Sequence, residues 1–349
     1  MKIFFWSAGS DGSSFYRQAL PALGLGWRGH RVGTGQQLSL PAVRDCDAVI
    51  GARIASAPAT LAWQALSAQG VPLVLDLDDD YFNLDPSNRR AYEFWGKDGL
   101  RQRLADNMDA ASLVTVASQG LAAAMAERTS TPIAVVPNLL PAQYLAAPRA
   151  YGDKVTVGWA GSSSTLHELP IIARSLNRLA RLARPVQVKL VGCTLEEAGA
   201  MGVDVSTGLV SATGWIPDVP SYLKECMAFD IWLAPYRPTP FNQAKFPTKA
   251  LESSFLGIPL LASPTRPYAD WVTDRGPNPC GVTLVRHDHD WGHYLKALTD
   301  PDDGPVRRRA AGEAATAAAS SSILQSGAAW WESAIQTARI NTKREAPHA

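Results

Sequence analysis

The sequence is poor in cysteine, with four in 349 residues, at Cys46, Cys193, Cys226 and Cys280. No C-x-x-C pair occurs. That excludes the usual zinc and dithiol spacings and leaves reduced thiols of a cytoplasmic protein as the expectation. Long apolar runs are also missing, and nothing approaches the ~20 residues of a membrane span. The apolar run at residues 3–6 is too short for the core of a signal peptide, which again predicts a cytoplasmic location. The third absence is an excess of one charge. Lys and Arg number 33 against 32 Asp and Glu, a net charge of +1. General binding of duplex nucleic acid needs a clear basic surplus and is not expected. Charged residues make up 19% and apolar residues 46%, a balance that supports buried cores rather than disorder. At ~100–200 residues per domain the chain holds two of them.

Short apolar runs alternate with helix-period stretches along the whole chain. Strands are expected first at residues 2–7, 48–52, 72–77, 113–117 and 133–136, with helices at 14–26, 58–69 and 89–105. Strand, helix, strand in this rhythm specifies a parallel sheet covered on both faces. Between Pro137 and Asp153 three prolines and a glycine interrupt any period, and a linker is expected. The rhythm then restarts. Strands are expected at 155–160, 186–191, 230–234, 259–262 and 282–285. Helices are expected at 165–183, 219–229, 244–256, 268–274 and 288–298. An alanine-rich helix should cover 306–340, where Trp330 and Trp331 need a surface to dock on. The expected class is α/β, with two Rossmann-like α/β/α domains facing a central cleft. Residues 1–140 form the first, 141–153 the linker and 154–325 the second. A terminal helix and tail, 326–349, can pack back on the first domain. Open parallel sheets bind ligands at the carboxyl ends of their strands, so two face to face suit an enzyme joining two substrates.

Two motifs invite other functions. Gly24, Gly26 and Gly29 match G-x-G-x-x-G literally, but a helix separates them from the preceding strand. A dinucleotide fingerprint must follow a strand directly, so a helix terminus and turn is the better reading. Asp76-Leu77-Asp78-Asp79-Asp80 at a strand end resembles the opening motif of haloacid-dehalogenase phosphatases, with Asp76 and Asp78 in the catalytic places. Asp80 stands where that motif has threonine. Carboxylates that cap a loop, or that bind an acceptor or a metal, are the alternatives.

Three later stretches carry the most chemistry. The first is Gly158-Trp159-Ala160-Gly161-Ser162-Ser163-Ser164-Thr165-Leu166-His167-Glu168-Leu169, a strand running through small residues into a helix. Thr165 and Glu168 have capping-box spacing. A helix N-terminus behind Gly161, Ser162 and Ser163 would offer N–H groups to a phosphate. An ordinary strand-to-helix turn is the bland reading. The second is Gly214-Trp215-Ile216-Pro217, whose backbone could meet a nucleobase edge. The third runs from Phe241-Asn242 through Lys245 and Lys249 to Glu252. Spacings of four and three put the two lysines and the glutamate on one helical face, with Pro247 near the helix start. They can neutralise a diphosphate and accept ribose hydroxyls, or they can be a surface ion pair.

Taken in this order, the three stretches resemble glycosyltransferases of the GT-B fold, in particular the large retaining family 4, or group 1, and its relatives. The segment from Asp230 to Ser263 is similar to that group's donor-site region. Ser14-Phe15-Tyr16-Arg17, Pro21 and Gly29-His30-Arg31-Val32 are similar to its opening. The resemblance reaches to about Val285. It implies that Glu252 matches the second glutamate of an E-x7-E motif and holds the donor ribose. The first glutamate falls at Ala244, where this chain departs from the pattern. The basic residues many members use on the pyrophosphate after the first strand of the second domain are also absent. Lys245, Lys249 and the amides of Gly161–Ser163 are their expected substitutes.

The expected reaction moves a hexose-type sugar from a UDP- or GDP-sugar to an acceptor hydroxyl, with retention and without a metal. Lys245, Lys249 and Glu252 are its catalytic candidates. Gly161, Ser162, Ser163, His167, Trp215, Ile216, Phe241 and Asn242 are expected on the donor. Ser13, Ser14, Tyr16, Arg17, Asp78 and Asp79 are expected on an acceptor whose class stays open. A GT-B-like epimerase or a non-catalytic sugar-binding relative is the alternative, and the phosphatase the remote one. Arg174, Arg178, Arg181 and Arg184 should form a solvated face opposite Leu176, Leu179 and Leu182. Peripheral contact with an anionic membrane is the less favoured reading of that face.

Overall fold

A computed structural model describes the chain apart from residues 8–11, 39–42, 44, 152–153, 180, 183, 277–278 and 346–349. Among the described residues, twelve strands form two parallel sheets of six. The first holds β1 (Lys2–Trp6), β2 (Arg31–Gly35), β3 (Ala48–Ala52), β4 (Leu73–Leu77), β5 (Leu113–Val116) and β6 (Ile133–Val135), in the order β2-β1-β3-β4-β5-β6. The second holds β7 (Val155–Ala160), β8 (Val186–Val191), β9 (Val210–Thr213), β10 (Ile231–Ala234), β11 (Leu260–Ala262) and β12 (Val282–Leu284), in the order β12-β11-β10-β7-β8-β9. The winding direction reverses between β1 and β3 in one sheet and between β7 and β10 in the other. Such reversals open crevices at the strands' carboxyl ends. The central strands β3, β4, β5, β7 and β10 are buried at every residue, which is why they read as continuous apolar runs.

The ten strands expected from sequence are all present, to within a residue at their ends. β2 and β9 were not expected. Both are sheet edges, half-exposed, and rich in Gly, Ser and Thr rather than apolar side chains. Helices Gln119–Ala126 and Leu195–Ala200 were not expected either. Several expected helices are divided. The stretch 89–105 becomes Arg89–Trp95 and Leu100–Asp109. The tail becomes Gly304–Ala319 and Leu324–Glu345, separated by a turn of 3-10 helix at Ser320–Ser322. The opening helix contains a π segment, Phe15–Ala19, before Leu20–Trp27.

The last helix crosses back to the first domain. Trp331, Ala334, Ile335 and Ala338 are buried in one cluster with Ile3, Phe5, Ile50 and Val74 of the first sheet. The ring of Trp331 meets Phe5 edge-on at 5.9 Å. Trp330 does not dock and stays 44% exposed. Gly24 allows this helix to lie close, because a Cβ there would stand 2.8 Å from that of Ala328. The G-x-G-x-x-G decoy is therefore a helix contact followed by a helix end. The two crossings between domains run side by side, with Leu140 N–H donating to Ser322 O and Leu324 N–H to Leu140 O.

The arginine-rich helix is Pro170–Leu179, shorter than expected. Leu176 and Leu179 are buried, but Leu182 lies beyond the helix and is exposed. Arg184 leaves the solvated face to bond Lys296 O, Thr299 and Asp300. No described helix is long and apolar enough to cross a membrane.

Arg17 and Asp76 form a buried ion pair beneath the cleft, 2% and 1% exposed. Arg17 Nε and Nη2 donate to the two carboxylate oxygens at 3.0 and 2.6 Å. Nη1 donates to Val136 O and, at 3.2 Å, to Asn138 Oδ1. Thr115 Oγ1 donates to Asp76 at 2.7 Å. Removing one partner of such a pair strands the other charge in the core. Arg17→Ala should cost about 3–5 kcal/mol in urea unfolding followed in the first domain. Arg89→Ala, at the exposed Arg89–Glu93 pair, should leave the urea midpoint unchanged.

Candidate active site

Two cavities meet between the sheets at the carboxyl ends of β1, β4, β7 and β10. The smaller, about 260 Å³, is lined by Tyr16 from the first domain and by Gly161, Ile216, Tyr222, Tyr236, Lys249, Glu252 and Tyr268 from the second. The larger, about 1550 Å³, takes in Arg53, Tyr81, Trp95, Phe241, Ser163 and Gly192. Ser13, Asp78, Asp79, Ser162 and Trp215 line both.

Glu252 is the hub of the smaller cavity. It is 2% exposed, on helix Thr248–Phe255. Tyr16 OH donates to its Oε1 at 2.9 Å from the opposite domain. Tyr222 OH and Lys249 Nζ donate to Oε2 at 3.0 and 3.1 Å, and Lys249 also donates to Tyr222 OH at 2.6 Å. Burial, then the charge of Glu252, pushes the Tyr16 and Tyr222 hydroxyls well above the usual tyrosine range. Both remain donors. Burial lowers the ammonium of Lys249, but Glu252, Tyr236 and Cys226 outweigh it, so its net shift is upward and it stays charged.

Lys245 does not share a helix with Lys249 and Glu252. A short helix, Pro240–Ala244, ends at Lys245, whose backbone is extended (φ −61°, ψ 159°). The next helix begins after Pro247, which occupies its N-cap. Proline lacks the amide that a continuous helix would need there. Lys245 still lines the smaller cavity, and its Nζ reaches Asp79 Oδ1 at 2.8 Å across the cleft.

The loop after β7 also differs from expectation. The capping box does not form. Thr165 Oγ1 accepts from Ser162 N–H at 3.0 Å, and a three-residue 3-10 turn, Leu166–Glu168, comes first, so that the helix begins only at Pro170. Glu168 turns inward to 1% exposure, accepting from Asn242 Nδ2 at 2.7 Å and Arg237 N–H at 3.0 Å. Of the amides expected to face phosphate, Gly161 N–H donates to Val191 O and Ser162 N–H to Thr165. Gly161 itself is demanded by its neighbours, since a Cβ would stand 2.4 Å from the Trp159 ring.

The other expected residues divide as follows. Ile216, Asn242 and Trp215 reach the smaller cavity, Trp215 with 60% exposure. Phe241 lines the larger cavity but is mostly packed in the first domain's core. His167 lines neither, and neither does Ser14, which is buried beside Ser7. Arg17 borders the smaller cavity with its guanidinium committed to Asp76. That same commitment rules out Asp76 as a phosphatase nucleophile, because both its oxygens are taken. Tyr222 and Tyr236 were not anticipated. Their importance comes from contacts with Lys249, Glu252 and Tyr268, and no local pattern marks them.

Asp78 and Asp79 are tuned apart. Burial raises the carboxyl of Asp78, but Arg53 and hydrogen bonds from Ser13 and Tyr81 bring its net position below the usual range. Asp79 lies above that range through burial and the adjacent charge of Asp78, against the pull of Lys245 and Arg53.

No protein-family model matches the chain, and no curated protein matches it in sequence. Solved structures do match in fold. A sucrose-phosphate synthase from Thermosynechococcus elongatus gives a TM-score of 0.67 at 14% identity, over 95% of this chain and 98% of that one. A glycosyltransferase from Rickettsia africae gives 0.65 at 11% identity, over 100% and 99%. A pneumococcal O-GlcNAc transferase solved with UDP and GlcNAc gives 0.59 at 10% identity, over 83% of this chain and 56% of that one. With the two facing sheets, these similarities establish the GT-B fold for this chain.

An ionised carboxylate with a raised pKa is less favoured in the folded protein than in the unfolded chain. The stability lost this way grows as pH rises from the ordinary aspartate range through the raised value, then stays constant. Asp79→Asn should therefore raise the melting temperature at pH 7. The gap should close at about pH 3, where Asp79 is neutral in both states. Scanning calorimetry across that range checks the sign.

Proposed function

We propose that this protein is a glycosyltransferase using a nucleoside-diphosphate sugar. The observation that carries the proposal is the cluster Tyr16–Glu252–Tyr222–Lys249, a carboxylate and an ammonium facing the cleft at the point where the second sheet reverses. Glu252 can exchange its tyrosine partners for ribose hydroxyls. Lys249 and Lys245 bring positive charge to the same cavity, where a departing diphosphate needs it. Trp215 and Ile216, on the loop after β9, supply the surface for a base.

The acceptor enters from the larger cavity, against the first domain, and its hydroxyl meets the anomeric carbon where the two cavities join. Holding both substrates there turns a two-body collision into a reaction within one complex. Retention is the outcome that the resemblance to family 4 implies. The acceptor oxygen then bonds the anomeric carbon on the face the diphosphate leaves, and the leaving phosphate oxygen takes the acceptor's proton.

UDP or GDP should raise the melting temperature of the protein, and the nucleotide that does so names the base. Lys245→Ala together with Lys249→Ala should weaken that nucleotide by about 100-fold or more, since each lysine contributes a charge-assisted contact. Isothermal titration calorimetry measures it. Unchanged affinity in the double variant, or no shift with either nucleotide, sinks the proposal.

A further inference from the structure

Asp79 and Lys245 stand where the two cavities meet, one on each domain. Their side chains keep 27% and 22% exposure. Among the described residues, the 2.8 Å bond between them is the one hydrogen bond either side chain makes. Asp79 Oδ2 is thus left open, the Lys245 ammonium also lies over the Phe241 ring at 4.1 Å, and both residues line the smaller cavity. Arg17–Asp76, whose carboxylate lies three residues before Asp79, shows the contrast. There the pair is buried and both carboxylate oxygens are taken.

A carboxylate with an open oxygen beside an ammonium that makes one hydrogen bond suits two neighbouring hydroxyls. One hydroxyl donates to the carboxylate and the other accepts from the ammonium. Among the described residues the second domain supplies no carboxylate with a free oxygen at this place. Ala244, the residue before Lys245, buries its side chain in the first domain's core and gives its carbonyl to Ser118 Oγ at 2.6 Å. Glu168 and Glu252 are buried, with both oxygens of each engaged. Asp78 is held by Arg53 and by Tyr81 OH. Asp79, at 27% side-chain exposure against 13% for Asp78, is the more open of the two carboxylates at the junction.

The geometry points to Asp79, working with Lys245, as the group that recognises hydroxyls of the donor's sugar, supplied by the domain opposite the one that holds the nucleotide. This assignment rests on the nucleotide-sugar reading. Its consequence is a division of labour. A bare nucleotide needs the second domain only, whereas the sugar is recognised across the cleft.

Calorimetric titration of the full chain with UDP, GDP, UDP-glucose, UDP-N-acetylglucosamine and GDP-mannose tests it, using wild type, Asp79→Ala and Asp79→Asn. Asp79→Ala should bind the bare nucleotide within about twofold of wild type and bind the preferred nucleotide sugar about 10–100-fold more weakly, the worth of hydrogen bonds to a charged group. Asp79→Asn keeps an acceptor oxygen and the side-chain shape, and should lose less. An equal loss for nucleotide and nucleotide sugar, or no loss for either, overturns the assignment. So does a wild type that binds a nucleotide but gains nothing from any attached sugar. A wild type that binds no nucleotide removes the nucleotide-sugar reading first, and this assignment with it.

Discussion

The buried pair Arg17–Asp76 fixes the first wall of the cleft. Two charges taken out of water are tolerated only when their hydrogen-bonding groups are filled. Here the filling comes from four places: the helix after β1, β4, Thr115 of β5 and the chain just after β6. The ring of Trp331 closes the pair off, 5.0 Å from the guanidinium. Tyr16 precedes Arg17, and Asp78 and Asp79 follow Asp76 closely. The residues that reach across to Glu252 and Lys245 are therefore held by the same pair that holds the sheet.

Most of the sheet framework was legible in the sequence because central strands have no choice of composition. They are buried on both faces, so they are apolar throughout. The edges β2 and β9 were hidden because one side of each meets solvent, and Gly and Thr suffice there. The candidate site was legible in identity more than in arrangement. Lys245, Lys249 and Glu252 do gather at one cavity, though by a broken path that Pro247 imposes. Glu168 shows a local pattern losing to a distant partner. Its capping spacing to Thr165 is sound, yet Asn242 offers a buried, fully bonded place instead. Tyr222 and Tyr236 could not be foreseen because their partners lie some thirty residues along the chain.

Charged groups facing the cleft are already paired across or within it. Glu252 is held by two tyrosines and a lysine, and Lys245 by Asp79. A ligand must exchange the partners of Glu252, whereas Asp79 can meet it without giving up Lys245. Such exchange lowers affinity but keeps the groups in place before the ligand arrives, which is the economy of a preorganised site. Asp79, whose ionised form is disfavoured where it stands, shows the usual tension between a stable fold and a working cleft.

The return of helix Leu324–Glu345 to the first sheet has a consequence for how the protein is made. Synthesis proceeds from the amino end, and early domains commonly fold as they emerge. Here the core around Ile3 and Phe5 includes Trp331, Ile335 and Ala338. The first domain to leave the ribosome is therefore the last to be finished. Until its closing helix arrives, it must wait with one face uncovered while the second domain assembles beside it. A chain that ended before Leu324 would lack the side chains that cover Ile3 and Phe5, and also Leu324 and Ala328 from the core beside the second sheet.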